Sequence, residues 1–446
     1  MSKNPIRRKK IIDSLSASRL LGWIREVFSK VPDVRDKDLI SISLVDTLMS
    51  ALAIFGLKYP SLLQFEEHKN ESVIRHNLRS LYGVEHAPCD TQMRTILDSV
   101  QPQHVDEAFV ILHEKAAEQG VFKEYEYLGG YHLVSVDGTG HFCSSSVRCP
   151  QCCVKKQKKD GTEQFYHQLL GAVVVHPDMK TVIPVAPEAI TKADGQEKND
   201  CERNAAKRLL PRIKEHYKHL RPIIVEDSLA SNGPHIMLLK SLGFRFILGV
   251  KPGDHAALFK QVDTRFVQGE TEEFEGELKT GIKYGYRYTN GVFLNESNKD
   301  LKVNFLEYWE VDGDRQTIWT LITDFELNRD TVEPIMLGGR ARWKIENETF
   351  NTLKNQGYYL EHNYGHGQKF LATVFGKLTF LAFFVDQLQE LGCALFRKAV
   401  RSRRTKISFW ERLRALVTVY CILTWEDLWN SIIQKRPVNL VAPNTS

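Results

Sequence analysis

The sequence predicts an α/β protein: a mixed sheet with a β-strand insertion, flanked by helical regions at both ends. Three observations predict it. Apolar residues recur at helical spacing before about residue 119 and again after about residue 328. Between them, from about residue 126 to 252, short β-branched runs alternate with helical stretches. A further block, residues 253–327, consists of alternating segments separated by Asn-Gly and Asp-Gly turn signals.

In the first region, residues 1–125, "LISISLVDTLMSALAIFGLKYPSLLQF" sets Leu44, Leu48, Ala51, Leu52 and Phe55 on one face, and Pro60 breaks the pattern. "CDTQMRTILDSV" offers Asp90 and Thr91 as a helix start. The texture changes at "YHLVSVDGTGHF", a first strand, after which "QLLGAVVVHPDMKTVIPVAPEAI" gives two strands joined by a Pro-Asp turn. A helix follows, with Ala205, Leu209, Ile213 and Tyr217 spaced by four. Then come the strand "RPIIVEDSLAS", the helix "GPHIMLLKSLG" and the strand "FRFILGVKPG". Three strands, a helix, a strand, a helix and a strand is the order of a ribonuclease H-like mixed sheet. The insertion holds "GIKYGYRYTNGVFLN", "LKVNFLEYWEVDG" and "RQTIWTLITDF", residues 328–396 complete the core, and 397–446 form a basic helical end.

The formal charge over 446 residues is only +5, but the basic residues cluster. Arg7, Arg8, Lys9 and Lys10 lie in "KNPIRRKK"; "KKQKK" spans 155–159 and "RKAVRSRRTK" spans 397–406. Three such runs suit a polyanion, and double-stranded DNA is the expected partner. No secretory signal is expected, because the charged N-terminus has no apolar stretch behind it. "FLATVFGKLTFLAFFVDQL" is interrupted by Lys377 and Asp386, so it reads as a buried helix and not as a membrane span. The expected location is the cytoplasm, on the nucleoid when bound to DNA.

Acids mark the strand ends. Asp137 ends the first strand and Asp227 the fourth, which are neighbours in a ribonuclease H-like sheet. Hard oxygen ligands suit Mg²⁺ or Mn²⁺, and two such ions about 3.5–4 Å apart serve phosphodiester chemistry. Glu226 competes with Asp227, but alternation along a strand turns only one of them inward. A third carboxylate would come from "GGRARWKIENETFNTLKNQGYYLEH", where Glu346 is the first candidate and Glu348 stays open. The plain alternative is a solvated charged helix with Ile345, Phe350 and Leu353 buried.

The cysteines form a second constellation in a loop over residues 141–168. Cys149-Pro-Gln-Cys152 has the two-residue gap that lets two thiolates grip one tetrahedral Zn²⁺. Cys153 and Cys201 are the leading completing ligands, with Cys143 and His167 as alternatives; a set of buried thiols is the competing reading. His362 and His366 read as loop histidines with a structural role or a reach to DNA.

Taken together, "SVDGTGHF", "IIVEDSLASNG" with "LGVKPG", and "RWKIENETFNTLK" resemble the DDE transposases of bacterial insertion sequences, in the group with a β insertion between the second Asp and the Glu. The resemblance covers about residues 32–433. It implies Asp137, Asp227 and Glu346 as the catalytic, metal-binding triad. It also implies DNA contacts by Arg342, Trp343, Lys354 and Lys251, and an enzyme that works as a homodimer on DNA. Such an enzyme binds its element's terminal inverted repeats, cleaves by metal-dependent hydrolysis and transfers the 3′ ends to target DNA. The sequence departs from the group's pattern at Gly339, where the group has Tyr, and Lys354 lies one residue farther from Glu346 than usual. The alternatives are a domesticated DNA-binding protein and a ribonuclease H-like nuclease without strand transfer.

Overall fold

The computed structural model of the chain describes residues 14–157, 161–195 and 198–442. Six helices come first: α1 (Ala17–Ser29), α2 (Leu44–Gly56), α3 (Leu62–His68), α4 (Ser72–Tyr82), α5 (Asp90–Asp98) and α6 (Gln103–Glu118). Local chemistry sets their ends. Ser43 accepts the Asp46 N–H to cap α2, and Gly83 at φ +66° stops α4.

Strands β1 (Glu126–Tyr127), β2 (Tyr131–Ser144), β3 (Cys153–Lys156), β4 (Glu163–His176) and β5 (Met179–Ile190) follow. Then α7 (Lys198–His216), β6 (Pro222–Glu226), α8 (Gly233–Ser241), β7 (Arg245–Gly249) and α9 (Ala256–Val267) alternate. The insertion supplies β8 (Glu272–Glu277), β9 (Lys283–Phe293), β10 (Lys302–Asp312) and β11 (Arg315–Thr323). Helix α10 (Val332–Arg340), a π-helix (Ile345–Phe350) and α11 (Asn351–Asn355) lead to α12 (Leu371–Gly392), α13 (Ala394–Arg401), α14 (Lys406–Val419) and α15 (Trp425–Gln434).

Among the described residues, eleven strands make one mixed sheet in the order β3-β4-β2-β6-β7-β11-β10-β9-β8, with β5 on β4 and β1 on β2. The β2–β6 and β6–β7 pairs are parallel and the rest antiparallel. All five residues of β6 are buried, as a central parallel strand requires. The insertion extends the same sheet, because β11 pairs with β7 from Leu321↔Gly249 to Thr323↔Ile247. Its outer strand reads "EEFEGE", and carboxylates along an exposed edge oppose pairing with another chain.

Strand β2 is longer than the sequence suggested. Pairing with β4 carries it through His141 to Ser144, so Asp137 sits inside the strand and not at its end. The parallel partner β6 stops at Glu226, however, so β2 loses its neighbour on that side just where Asp137 stands.

Helix α12 joins the N-terminal helices to the C-terminal ones. By length and composition it is apolar enough to cross a membrane, yet 94% of its most apolar window is buried inside the fold. Phe55 and Phe109 pack on its Phe375 and Phe384, and the fully buried Lys58 pairs with its Asp386 at 2.7 Å. Asn77 of α4 holds the far end, donating to Val417 O and Tyr420 O and accepting the Ile422 N–H.

Candidate active site and metal centre

The β2–β6 register runs to Ser135↔Val225, and two residues farther along each chain come Asp137 and Asp227. Partners on adjacent parallel strands share a face, and positions two apart repeat it. That face of β2 looks toward the chain after α10: the Ser135 hydroxyl donates to Arg342 O at 3.0 Å, and Arg342 Nη1 lies 3.8 Å from Asp137 Oδ2. Each acid is oriented by backbone. Asp137 Oδ1 accepts the Gly138 N–H at 2.8 Å and Asp227 Oδ1 accepts the Leu229 N–H at 3.0 Å.

Glu226 makes a 2.6 Å ion pair with His235 of α8. Burial would depress the His235 imidazole, but the Glu226 carboxylate outweighs it and holds the imidazolium above its ordinary value. Asp137 and Asp227 line one cleft with Glu202 and Arg203 of α7, and the Glu226–His235 pair lines it too. Glu202 was not singled out from sequence. Its carboxylate lies so close over Gly138 that a Cβ there would collide with it.

The segment carrying Glu346 is a π-helix, with Ile345, Thr349 and Phe350 buried and Glu346 exposed. Single π-turns of this kind recur at functional sites. Gly171, the register partner of Asp137, lets the segment approach: a Cβ on Gly171 would lie 2.9 Å from the Phe350 ring. The two acids differ in their neighbours. Lys344 donates to Met179 O at 2.7 Å; burial lowers its pKa and the charge of Glu348 opposes that shift, so Glu348 belongs to the β5 side. Glu346 stands four residues after Arg342, at the second position of the π-helix.

Arg342 also lies 4.6 Å from the centre of the Trp343 ring, which is 46% exposed. Lys354 pairs with Glu361 at 3.0 Å, away from the acids, and Lys251 is exposed just after β7. Arg7, Arg8, Lys9 and Lys10 lie outside the described residues. The glycine at 339 has a packing reason. A Cβ there would come within 2.6 Å of the end of the Leu321 side chain, which would have to shift where α10 crosses the sheet.

The second constellation forms a compact cluster. One ligand atom from each of Cys149, Cys152, His167 and His366 lies within 4.8 Å of all the others, and the group could hold a metal ion. Cys149 Sγ is 3.4 Å from Cys152 Sγ and 3.4 Å from His167 Nε2; Cys152 Sγ is 3.1 Å from His366 Nδ1. The Cys149 thiol is held well below its usual range, first by its hydrogen bond with Cys152 and then, against burial, by His167 and His366. Beside it, burial pushes the His141 imidazole down to about 3, so that ring is neutral and its Nε2 donates to Ala372 O.

The expected ligand set is therefore half corrected. Cys153 and Cys201 stand apart, with Cys153 Sγ 3.9 Å from Ile190 O and Cys201 Sγ 3.2 Å from Gly195 O. Cys153 opens β3, paired with Tyr166 of β4, and Cys201 belongs to α7. His167, an alternative from sequence, takes one place. His366, read as a plain loop histidine, takes the other. The sequence did hold a signal, since His366 stands between two glycines. No family model matches the chain, and no curated protein matches it either.

Proposed function

We propose that the protein is a DDE transposase built on a ribonuclease H-like core, a metal-dependent nuclease and strand transferase acting on double-stranded DNA. One observation supports the reading: Asp137, inside β2, and Asp227, just past the end of its parallel neighbour β6, line one cleft, and Arg342 reaches Asp137 from the segment that carries Glu346. The β5-β4-β2-β6-β7 order, with only β2–β6 and β6–β7 parallel, supports the ribonuclease H-like description.

The ion proposed for Asp137, Asp227 and Glu346 is a hard divalent one, because carboxylate oxygens are the ligands such ions take, and all three side chains are at least partly exposed. Mg²⁺ or Mn²⁺ held by these three would activate water and stabilise a departing oxygen. The chain's own residues do the positioning. Gly138 and Leu229 amides aim the two aspartates, and Arg342 holds the phosphate beside the cut, with Trp343 against the distorted end. Attack of water on phosphorus forms one P–O bond and breaks another, leaving a 3′ hydroxyl and a 5′ phosphate. The 3′ hydroxyl then attacks a target phosphodiester, again exchanging one P–O bond for another. Two ends must be held at once, so a homodimer on DNA is part of the proposal, in the cytoplasm and on the nucleoid.

Zinc is the ion proposed for the cysteine-histidine cluster. Tetrahedral Zn²⁺ with bonds of about 2.3 Å to sulfur and about 2.0 Å to nitrogen sets its ligands roughly 3.4–3.8 Å apart. The four donors already lie close to that spacing.

The test uses purified full-length protein, Mg²⁺ and a duplex carrying the sequences that flank the coding region. Nicks with 3′ hydroxyls followed by joined products are expected. Cleavage without joining would leave a ribonuclease H-like nuclease, and binding without cleavage in Mg²⁺ or Mn²⁺ would leave a DNA-binding protein.

A further inference from the structure

The four donors of the cysteine-histidine cluster come from three separate parts of the chain. Cys149 and Cys152 stand in the loop after β2, His167 is inside β4, and His366 lies between α11 and α12. The loop after β2 begins eight residues beyond Asp137, and the His366 loop follows the helical segment of Glu346. An ion gripped by all four therefore joins the chain beyond both acids.

His366 is also tied to the N-terminal helices. Gly365 and Gly367 flank it at φ +132° and +68°, conformations that L side chains rarely adopt. A Cβ on Gly367 would collide with the carboxylate of Asp98, the last residue of α5. That carboxylate accepts four consecutive backbone N–H groups, from Gln368, Lys369, Phe370 and Leu371, at 2.9–3.0 Å. Arg94, one turn earlier on α5, donates to Tyr364 O at 3.0 Å. Helix α5 thus grips the His366 loop on both sides of the ligand.

We infer that the zinc centre is a clamp: through His366 it locks α5 and the N-terminal helices to the loop that follows the Asp137 strand. This rests on the reading of the ion as zinc. The Cys149–Cys152 loop makes few other ties. Thiol–imidazole contacts alone are weak, whereas metal bonds between segments so far apart in sequence remove a large loop-closure entropy. Asp98 acts as a positioning residue for a metal ligand, the kind of outer partner whose loss weakens binding without removing a donor.

The experiment uses full-length protein, its zinc content measured first, then compared with and without zinc by hydrogen exchange. Removal by a chelator should speed exchange at least tenfold both in residues 145–152 and at the Gln368–Leu371 amides, leave the β9–β11 insertion unchanged, and be reversed by Zn²⁺. Asp98→Asn, which keeps all four ligands, should lose roughly 10–100-fold in zinc affinity by competition with a chromophoric chelator. One zinc per chain with unchanged exchange at Gln368–Leu371, or unchanged affinity in Asp98→Asn, would overturn the clamp while the zinc reading stands. Protein that holds no zinc at all would overturn both.

Discussion

Glu226 and His235 form a 2.6 Å ion pair that is almost wholly buried, with side-chain exposures of 9% and 5%. The pair lines the cleft of Asp137 and Asp227 and occupies the Glu226 carboxylate, and Asp227, the next residue, is the acid proposed beside Asp137. Glu226→Gln should keep cleavage while lowering stability by about 3 kcal/mol, as removal of one partner from a buried pair does. Asp227→Asn should do the reverse. Denaturant unfolding and a cleavage assay on both variants check the pair; loss of cleavage in Glu226→Gln at normal stability would place Glu226 in the chemistry.

The same pair makes a pH dependence. The His235 pKa is raised in the folded state, so its contribution is complete below the unfolded value of about 6.5. It is lost as pH rises through the folded value. Stability of the wild type should therefore fall from pH 6 toward pH 9 more steeply than that of His235→Gln, as read by denaturant midpoints. Parallel profiles would contradict the assignment.

Glu346→Gln should abolish cleavage and leave DNA binding within about threefold, because the side chain holds metal and not DNA. Glu348→Gln should cleave at nearly the wild-type rate, since Glu348 belongs with Lys344 on the β5 side. The opposite pattern would transfer the role to Glu348.

Gly171→Ala tests the packing under the acidic site. Its Cβ would press on Phe350, and overpacking of this kind costs about 1–3 kcal/mol. The strain falls on the Glu346 segment, so cleavage should drop by more than tenfold in protein that still melts cooperatively. Unchanged cleavage at reduced stability would show that the segment's approach to Asp137 is not critical.

Residues 1–125 should not fold alone. Their apolar faces are covered by α12–α15, Lys58 would lose Asp386, and Asn77 would lose three backbone partners. The isolated fragment is expected to lack a cooperative thermal transition by circular dichroism. A sharp transition in the monomeric fragment would contradict the shared core.

Local patterning made much of this legible in advance. The strands around Asp137 and Asp227 are dense β-branched runs, Asp312-Gly313 marks the β10–β11 turn and Pro60 ends a helical block, whereas Asn290-Gly291, which read as a hairpin turn, lies inside β9 at a bulge against β10. The features that escaped depend on partners distant in sequence. The length of β2 is set by β4, so Asp137 looked terminal when it is internal. His366 becomes a ligand because Asp98, some 270 residues away, arranges its loop. Cys153 and Cys201 looked as suitable as Cys149, but the fold turns Cys153 to Ile190 O and places Cys201 in α7 against Gly195 O. Glu202 reaches the cleft only through the packing of α7 on β5 and β4, for which a single sequence offers no sign.

The most direct measurement follows binding and cleavage together in Asp137→Asn, on a duplex carrying the sequences that flank the coding region. Affinity within about threefold of wild type is expected, with no 3′-hydroxyl product in Mg²⁺ or Mn²⁺ over a time in which wild type cleaves completely. Wild-type cleavage by Asp137→Asn would contradict the assignment of phosphodiester chemistry to this site.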